Sequence, residues 1–265
     1  MSSSPYGENI DLLMRQGKFF SSAGDCQFWL PDSIDYSNYT TGLVAWYDAS
    51  DLSTVTETNS VVDEWQDKSG NGFHLLPELG TTITGQSTVN GLNVLSFDGA
   101  ANLITLNDIL LASADTDTYT IFAVFQSSGS DIQHCLKIGD GTSGGTTIQL
   151  RARTTTQVEH CWWTHSYMSD VGTWIHGRPN LATIANEYGD GGIAYTRVNG
   201  MENVFDHGNS LSLSNGAKLR VGARNGVSKE FLSGIVAEIK IYDIKLAIEH
   251  ILGIEASLVD KWNIT

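Results

Sequence analysis

Glu64–Leu75, EWQDKSGNGFHL, is the stretch on which the reading of the whole chain turns. Within it Asp67–Gly72, DKSGNG, has the ingredients of a site. Asp67 and Asn71 carry oxygens suited to a hard cation such as Ca²⁺, and Gly70 and Gly72 would let the backbone wrap an anion, as phosphate loops do. An EF-hand-like site, however, needs several alternating oxygen ligands, and Asp67 is the loop's one acid. A phosphate loop needs a strand-to-helix junction and a Lys-Ser/Thr pair, and neither follows Gly72. The reading that survives is a turn after a strand carrying Trp65. In it Asp67 and Asn71 accept backbone hydrogen bonds and the glycines supply permissive φ angles. Asp67 and Asn71 are kept as candidate ligands for a Ca²⁺ ion at a loop rim.

Outward from this turn, from Gly42 onward, short β-rich runs alternate with glycine turns: LVAWYD, GLNVLSFDG, YTIFAVFQS, TTIQLRART, AYTRVNG, KLRVGARNG and GIVAEIKIYD. That spacing predicts an all-β sandwich or barrel. In GIVAEIKIYD the period of two places Ile235, Ala237, Ile239 and Ile241 on a core face and Glu238 and Lys240 on a wet one. Asn90-Gly91, Asn199-Gly200 and Asn225-Gly226 are read as tight hairpin turns. The tail IKLAIEHILGIEASLVDKW changes period: Ile244, Ile248, Ile251, Leu252, Leu258, Val259 and Trp262 recur at helical spacing, giving one amphipathic helix weakened at Gly253. Residues 1–41 differ from the rest and are assigned as an N-terminal arm, a docking segment preceding a domain of residues 42–265.

The 265 residues include 30 Asp and Glu against 15 Lys and Arg, and 18 of the acids but only 4 of the bases lie in residues 1–140. A net charge of −15 repels phosphate backbones and anionic lipid, which argues against nucleic-acid or membrane-surface partners. Three widely spaced cysteines, Cys26, Cys135 and Cys161, form no disulfide framework and point to reduced thiols and folding in a cytosol. No export signal or membrane-spanning run is legible.

The blocks GLVAWYDASDL, VVDEWQDKSGNGFHL, NGLNVLSFDG, TIFAVF, TRVNG and FLSGIVAEIKIYD, followed by a helix ending LVDKW, occur in an order that resembles the laminin-G-like branch of the concanavalin A-like lectin/glucanase superfamily. The resemblance covers roughly residues 42–262 and implies a jelly-roll sandwich of two antiparallel sheets. The W-Y-D-A-S-D start and the I-Y-D strand plus helix at the end are similar to domains seen in virion proteins of tailed bacteriophages. Fold alone does not settle activity, because the superfamily includes lectins, glycosidases, receptor modules and surface proteins.

Retaining glycosidases of this superfamily carry alternating acids on one strand face. No such block is present: Glu64 and Asp67 straddle Trp65, and Glu238 and Asp243 fall on opposite faces, so no catalytic residue is assigned. His134-Cys135 and His160-Cys161, with His165, could be considered for zinc, but neighbours in a strand point to opposite faces. Trp162, Trp163, His165 and Tyr167 form the densest aromatic stretch, and Tyr188–Gly192 with Asp190 could be an oxygen-rich rim loop. These are the candidate ligand-binding residues, for stacking on sugar rings. The sparse basic set Arg220, Arg224 and Lys229 is expected to pair with acids. The expectation is a non-enzymatic virion structural protein, multicopy, decorating a capsid or tail and attached to other virion proteins through residues 1–41. The alternative is a carbohydrate-binding adhesin that recognises a host glycan, with Ca²⁺ as its one possible cofactor.

Overall fold

The alternating runs close into two antiparallel sheets in a computed structural model, which describes residues 35–109, 118–139, 145–162, 165–170, 172–187, 192–206, 213, 217–225 and 230–265. The first sheet has the order β1 (Leu43–Asp48), β18 (Ser233–Tyr242), β9 (Tyr119–Ser127), β14 (Asn180–Glu187), β15 (Ile193–Val198) and β16 (Met201–Asp206), with β7 (Leu95–Asp98) also pairing β18. The second runs β13 (Ser166–Met168), β12 (Val158–Cys161), β11 (Ile148–Ala152), β10 (Gln133–Ile138), β17 (Leu219–Val221), β8 (Asn102–Thr105), β4 (Leu75–Leu79), β3 (Val61–Trp65) and β2 (Val55–Thr58). β5 (Thr88–Val89) and β6 (Leu92–Asn93) form a small separate hairpin. The expected all-β jelly-roll sandwich of two antiparallel sheets is therefore the fold observed.

The inner faces meet over one apolar core that includes Tyr47, Trp65, Leu75, Phe97, Phe125, Leu136, Leu150 and Ile239. Two of the Asn-Gly turns do what their chemistry predicts: Asn90-Gly91 joins β5 to β6 and Asn199-Gly200 joins β15 to β16, all four residues at positive φ. The β2–β3 reversal uses Asn59-Ser60, also at positive φ, a turn that lacks the glycine by which sequence reading finds such turns. Of the third expected pair, Gly226 lies outside the described residues.

The last strand departs from its sequence reading in two ways. Its pairing with β9 shifts register between Val236 and Glu238, so a bulge at Ala237 interrupts the strict period of two. Ile239 and Ile241 face the inter-sheet core, whereas Ile235 and Ala237 belong to a second apolar cluster on the opposite side. That opposite side is not wet. Glu238 and Lys240 are each 2% exposed, because helix α1 (Ile248–Trp262) lies over the sheet and buries Ile251, Ile254, Leu258 and Trp262 with Phe122, Val124 and Leu181. At roughly 1.5–3 kcal/mol for each large side chain removed from water, this cap is a major part of the fold rather than an appendage. No described helix is long and apolar enough to cross a membrane.

The helix starts four residues after Ile244 and runs unbroken through Gly253, ending at Asn263 in the left-handed conformation. Gly253 is not a weak point. A Cβ there would stand 2.5 Å from the ring of Tyr36, which is buried in the second cluster. Lys240 Nζ donates to Ser37 O at 2.5 Å and Tyr242 Oη donates to Tyr39 O at 3.0 Å. Tyr36, Ser37 and Tyr39 of the expected arm are thus packed against β18 and the helix; residues 1–34 of that arm lie outside the described residues. Gly253→Ala is expected to destabilise. Overpacking a rigid ring costs roughly 1–3 kcal/mol, here toward the upper end, and outweighs the gain of about 1 kcal/mol in helix propensity. A lowered urea midpoint would show it.

Candidate functional site

The DKSGNG turn is a clip. Asp67 Oδ1 accepts from Trp46 N and Ser69 N, both at 2.9 Å, and Oδ2 accepts from Ser69 Oγ at 2.8 Å and Phe73 N at 3.1 Å. All four bonds tie the turn to itself and to β1. Asn71 does not accept as expected; its Nδ2 donates to Val44 O at 2.9 Å and Leu43 O at 3.2 Å. A cation at Asp67 would have to displace these donors, and among the described residues no group of three or more His, Cys, Asp or Glu side chains is arranged to hold a metal.

The aromatic stretch expected at the surface lies largely inside. Trp162 is 0% exposed, since His160, Trp162 and Tyr167 occupy inward positions at the end of the second sheet. Trp162 Nε1 donates to Tyr119 Oη at 2.6 Å, and Tyr119 Oη is 2.5 Å from His160 Nε2. Tyr167 packs edge-on to both His160 and Trp162. The tips of Trp162, Tyr119 and His160 meet one another in the core, and Trp162 and Tyr167 are both buried, so neither offers a sugar platform. His165 is half-buried and its carbonyl accepts from Trp162 N at 2.8 Å. Trp163, Tyr188 and Asp190 lie outside the described residues, so the rim-loop assignment falls there too.

What the sequence reading missed is the other face of the same strands. The pleat sends Leu150, Val158 and Trp162 inward, and Gln149, Arg151, Glu159 and Cys161 outward in register, with Arg151 opposite Glu159 and Gln149 opposite Cys161. Arg151 Nε meets Glu159 Oε2 at 2.8 Å, and Arg153 Nε approaches the same oxygen at 3.3 Å. Ser166 Oγ donates to Glu159 Oε1. On the β10 side, His134 Nε2 lies 2.9 Å from Gln149 Oε1, and Gln149 Nε2 donates to Thr147 Oγ1 at 2.8 Å. Glu230 closes the array, 3.4 Å from Arg224 Nη1 and 3.8 Å from Arg151 Nη1. The centre is buried, and the rim is open at Arg153 and Arg224, whose side chains are 42% and 31% exposed. Burial works against the charge of Arg151, but the Glu159 carboxylate outweighs it and holds the guanidinium above its usual range. The expected pairing of the sparse basic cluster is present: Arg224 meets Glu230, and Arg220 Nε meets Glu78 Oε2 at 2.9 Å further along the sheet. Lys229 lies outside the described residues.

The zinc arrangement fails on the anticipated ground. Cys135 points into the core while His134 points outward, and His160 points inward while Cys161 points outward. Cys135 and Cys161 are both buried. Burial pushes the Cys135 thiol well above its usual range, which makes it inert.

Burial also drives His134 from the usual 6.5 down to about 3; its Gln149 bond opposes this, while Arg151, Arg224 and Lys137 reinforce it. Glu230 Oε2 lies 3.3 Å from Nδ1, both atoms buried and neither hydrogen-bonded, and it does not offset the burial. Between these two pH values the unfolded chain binds a proton that the folded chain refuses, so stability falls as pH drops from about 6.5 toward 3. Urea titrations at pH 6.5 and 4.5 are expected to show a loss on the order of 2 kcal/mol from this group. His134→Gln should flatten that part of the profile.

No family model matches the chain, and no curated protein matches it. Among solved structures, domain 4 of AbnA, a GH43 extracellular arabinanase from Geobacillus stearothermophilus, in complex with arabinotriose, aligns with TM-score 0.56 at 13% identity, covering 80% of this chain and 98% of that one. The receptor binding domain of the botulinum neurotoxin C/D mosaic serotype aligns with TM-score 0.58 at 14% identity, covering 82% of this chain and 52% of that one. Trypanosoma rangeli sialidase in complex with sialic acid aligns with TM-score 0.55 at 13% identity, over 82% of this chain and 33% of that one. The chain thus spans about half of the neurotoxin domain and a third of the sialidase. At these identities the likeness is one of fold: a jelly-roll sandwich of two antiparallel β-sheets.

Proposed function

We propose that the chain is a non-enzymatic carbohydrate-binding module whose recognition surface is the outward face of β10–β13. The observation that carries this reading is the array Gln149, Arg151, Arg153, Glu159 and Ser166, an in-register set of donors and acceptors that is buried at its centre and open to solvent at Arg153. Sugar hydroxyls both donate and accept, and charge-assisted bonds to guanidinium and carboxylate groups are the strong ones. The arabinotriose and sialic acid in two of the fold neighbours support a glycan over other ligands. This promotes the alternative of the sequence reading above its leading expectation. A glycan array run with and without a chelator tests it. Binding to a defined set of glycans is expected, and uniform absence of binding would overturn the proposal.

The finer placement, on the particle of a tailed phage and in many copies anchored by the N-terminal segment, rests on the sequence resemblance. Multivalent display would raise the avidity of a weak glycan site without new contacts. Mass spectrometry of purified particles should detect the chain, and its absence would remove this part of the proposal.

A further inference from the structure

Arg178 stands apart from the other described arginines. Arg151, Arg153, Arg197, Arg220 and Arg224 each pair with a carboxylate. Arg178 makes no ion pair among the described residues, in a chain whose acids outnumber its bases two to one. Its backbone is nevertheless fixed: Arg178 N donates to Ile175 O at 3.3 Å, and Asn180 Nδ2 donates to Arg178 O at 2.7 Å. An exposed guanidinium on an anchored backbone, with no ion-pair partner among the described residues, is available to an external one.

Arg178 lines a groove of about 460 Å³ between the β5–β6 hairpin and the end of α1, within the roughly 300–1,000 Å³ usual for small-ligand sites. Thr88, Asn90 and Gln126 place a hydroxyl and two amides on its walls, and Pro179 and Ile235 give it an apolar side. The groove lies on β5, β9 and β18, elements of the first sheet and its flanking hairpin. The polar array of the proposed glycan surface is on the second sheet.

The last carbonyls of the nearby helix are capped by hydrogen bonds rather than bare. The carbonyls of Val259 and Asp260 accept from the N–H groups of Ile264 and Asn263, and Lys261 O accepts from Asn90 Nδ2 at 3.0 Å. This last bond also holds the hairpin tip against the helix, which fixes the groove's width.

From these features we infer a second saccharide site, selective for a carboxylate-bearing sugar. The planar Arg178 fork would take the carboxylate by two parallel hydrogen bonds, the amides and Thr88 would take ring hydroxyls, and the apolar side would face the C–H surface of the ring. The inference rests on the glycan-binding reading and deepens it by naming a substrate class and a second location.

The test uses the full chain and a panel of galacturonate, glucuronate and sialic acid oligosaccharides beside their neutral counterparts. Calorimetric titration is expected to show binding of at least one carboxylated member. Arg178→Ala should weaken it at least about tenfold, as expected for losing a charge-assisted pair, and Arg178→Lys should only partly restore it. Because Arg178 is exposed and its side chain has no ion pair among the described residues, circular dichroism should be unchanged. A photoreactive form of the ligand should label peptides containing residues 88–90 and 178–179. Labelling confined to β11–β13, undiminished binding by Arg178→Ala, or binding of neutral glycans only would overturn this inference and leave the glycan-binding reading standing. Binding to no glycan at all would overturn both.

Discussion

Replacing Glu238 with alanine is expected to cost about 3–5 kcal/mol, the range for removing one partner of a buried ion pair, and to lower the Tm by roughly 10 °C. Glu238 is the hub of the sheet–helix interface. Its Oε1 accepts from Trp46 Nε1 at 2.9 Å, and its Oε2 accepts from Lys261 Nζ at 2.7 Å and Trp262 Nε1 at 2.9 Å. Lys261 also reaches Asp48 at 2.7 Å, and Asp48 in turn pairs with Lys68 at 3.0 Å. Lys240 sits 4.3 Å above the Trp46 ring and 3.9 Å from Glu238.

Truncating Glu238 strands two indole donors and a buried lysine together, which is why the cost exceeds that of an exposed ion pair, about 0–1 kcal/mol. Burial holds the Lys240 pKa below its usual range even with Glu238 present, and removing the carboxylate should depress it further. Burial raises the Asp48 pKa, but the bonds from Lys261 and Ser50 outweigh it and leave a net lowering. Its contribution is therefore present above the ordinary carboxylate range and lost as pH falls through the folded value. Glu238→Gln keeps acceptor capacity for one indole and should cost distinctly less. Equilibrium urea unfolding of both variants checks the order. A loss below about 1 kcal/mol for Glu238→Ala would mean that the cluster is solvated and that α1 is held by its apolar face alone.

This cluster also shows where sequence reading stops. A period of two in GIVAEIKIYD says that Glu238 and Lys240 share a face, and they do. It cannot say that a helix closing the chain will lie over that face, nor that a bulge at Ala237 will send Ile235 and Ala237 to the helix side. The features legible in advance were local ones, such as the Asp67 turn and the Asn-Gly hairpins, whose conformation is set by a few neighbouring residues. The site was harder. Trp162 and Tyr167 drew notice because aromatic residues are conspicuous, and the inward register of β12 and β13 buries them. The useful signal in that region was quieter: polar residues at 149, 151 and 153 in TTIQLRART. Alone they read as the wet side of any half-buried strand. They become an array only when β12 brings Glu159 beside Arg151.

The second large effect is expected at that array. Arg153 and Arg224 form its open rim and contact Glu159 and Glu230 from the solvent side. Solvent screens the open arginine ends of these pairs, and Arg151 still meets both Glu159 and Glu230 without them, so Arg153→Ala combined with Arg224→Ala should leave the Tm nearly unchanged. In a bound complex the same guanidinium groups would be desolvated by the ligand. Each hydrogen bond to a charged group is then worth roughly 1.5–3 kcal/mol, so the double variant should lose at least about a hundredfold in affinity. Arg151 is unsuitable for the same purpose, because its loss would leave the buried Glu159 without its strongest partner and confuse binding with folding.

Titration calorimetry of the double Arg153→Ala, Arg224→Ala variant against a neutral glycan selected on the array, with the Tm measured in parallel, tests the central claim most directly. Loss of binding with an unchanged Tm is the predicted result. Unchanged affinity for that glycan would contradict the assignment of the β10–β13 face as the recognition surface.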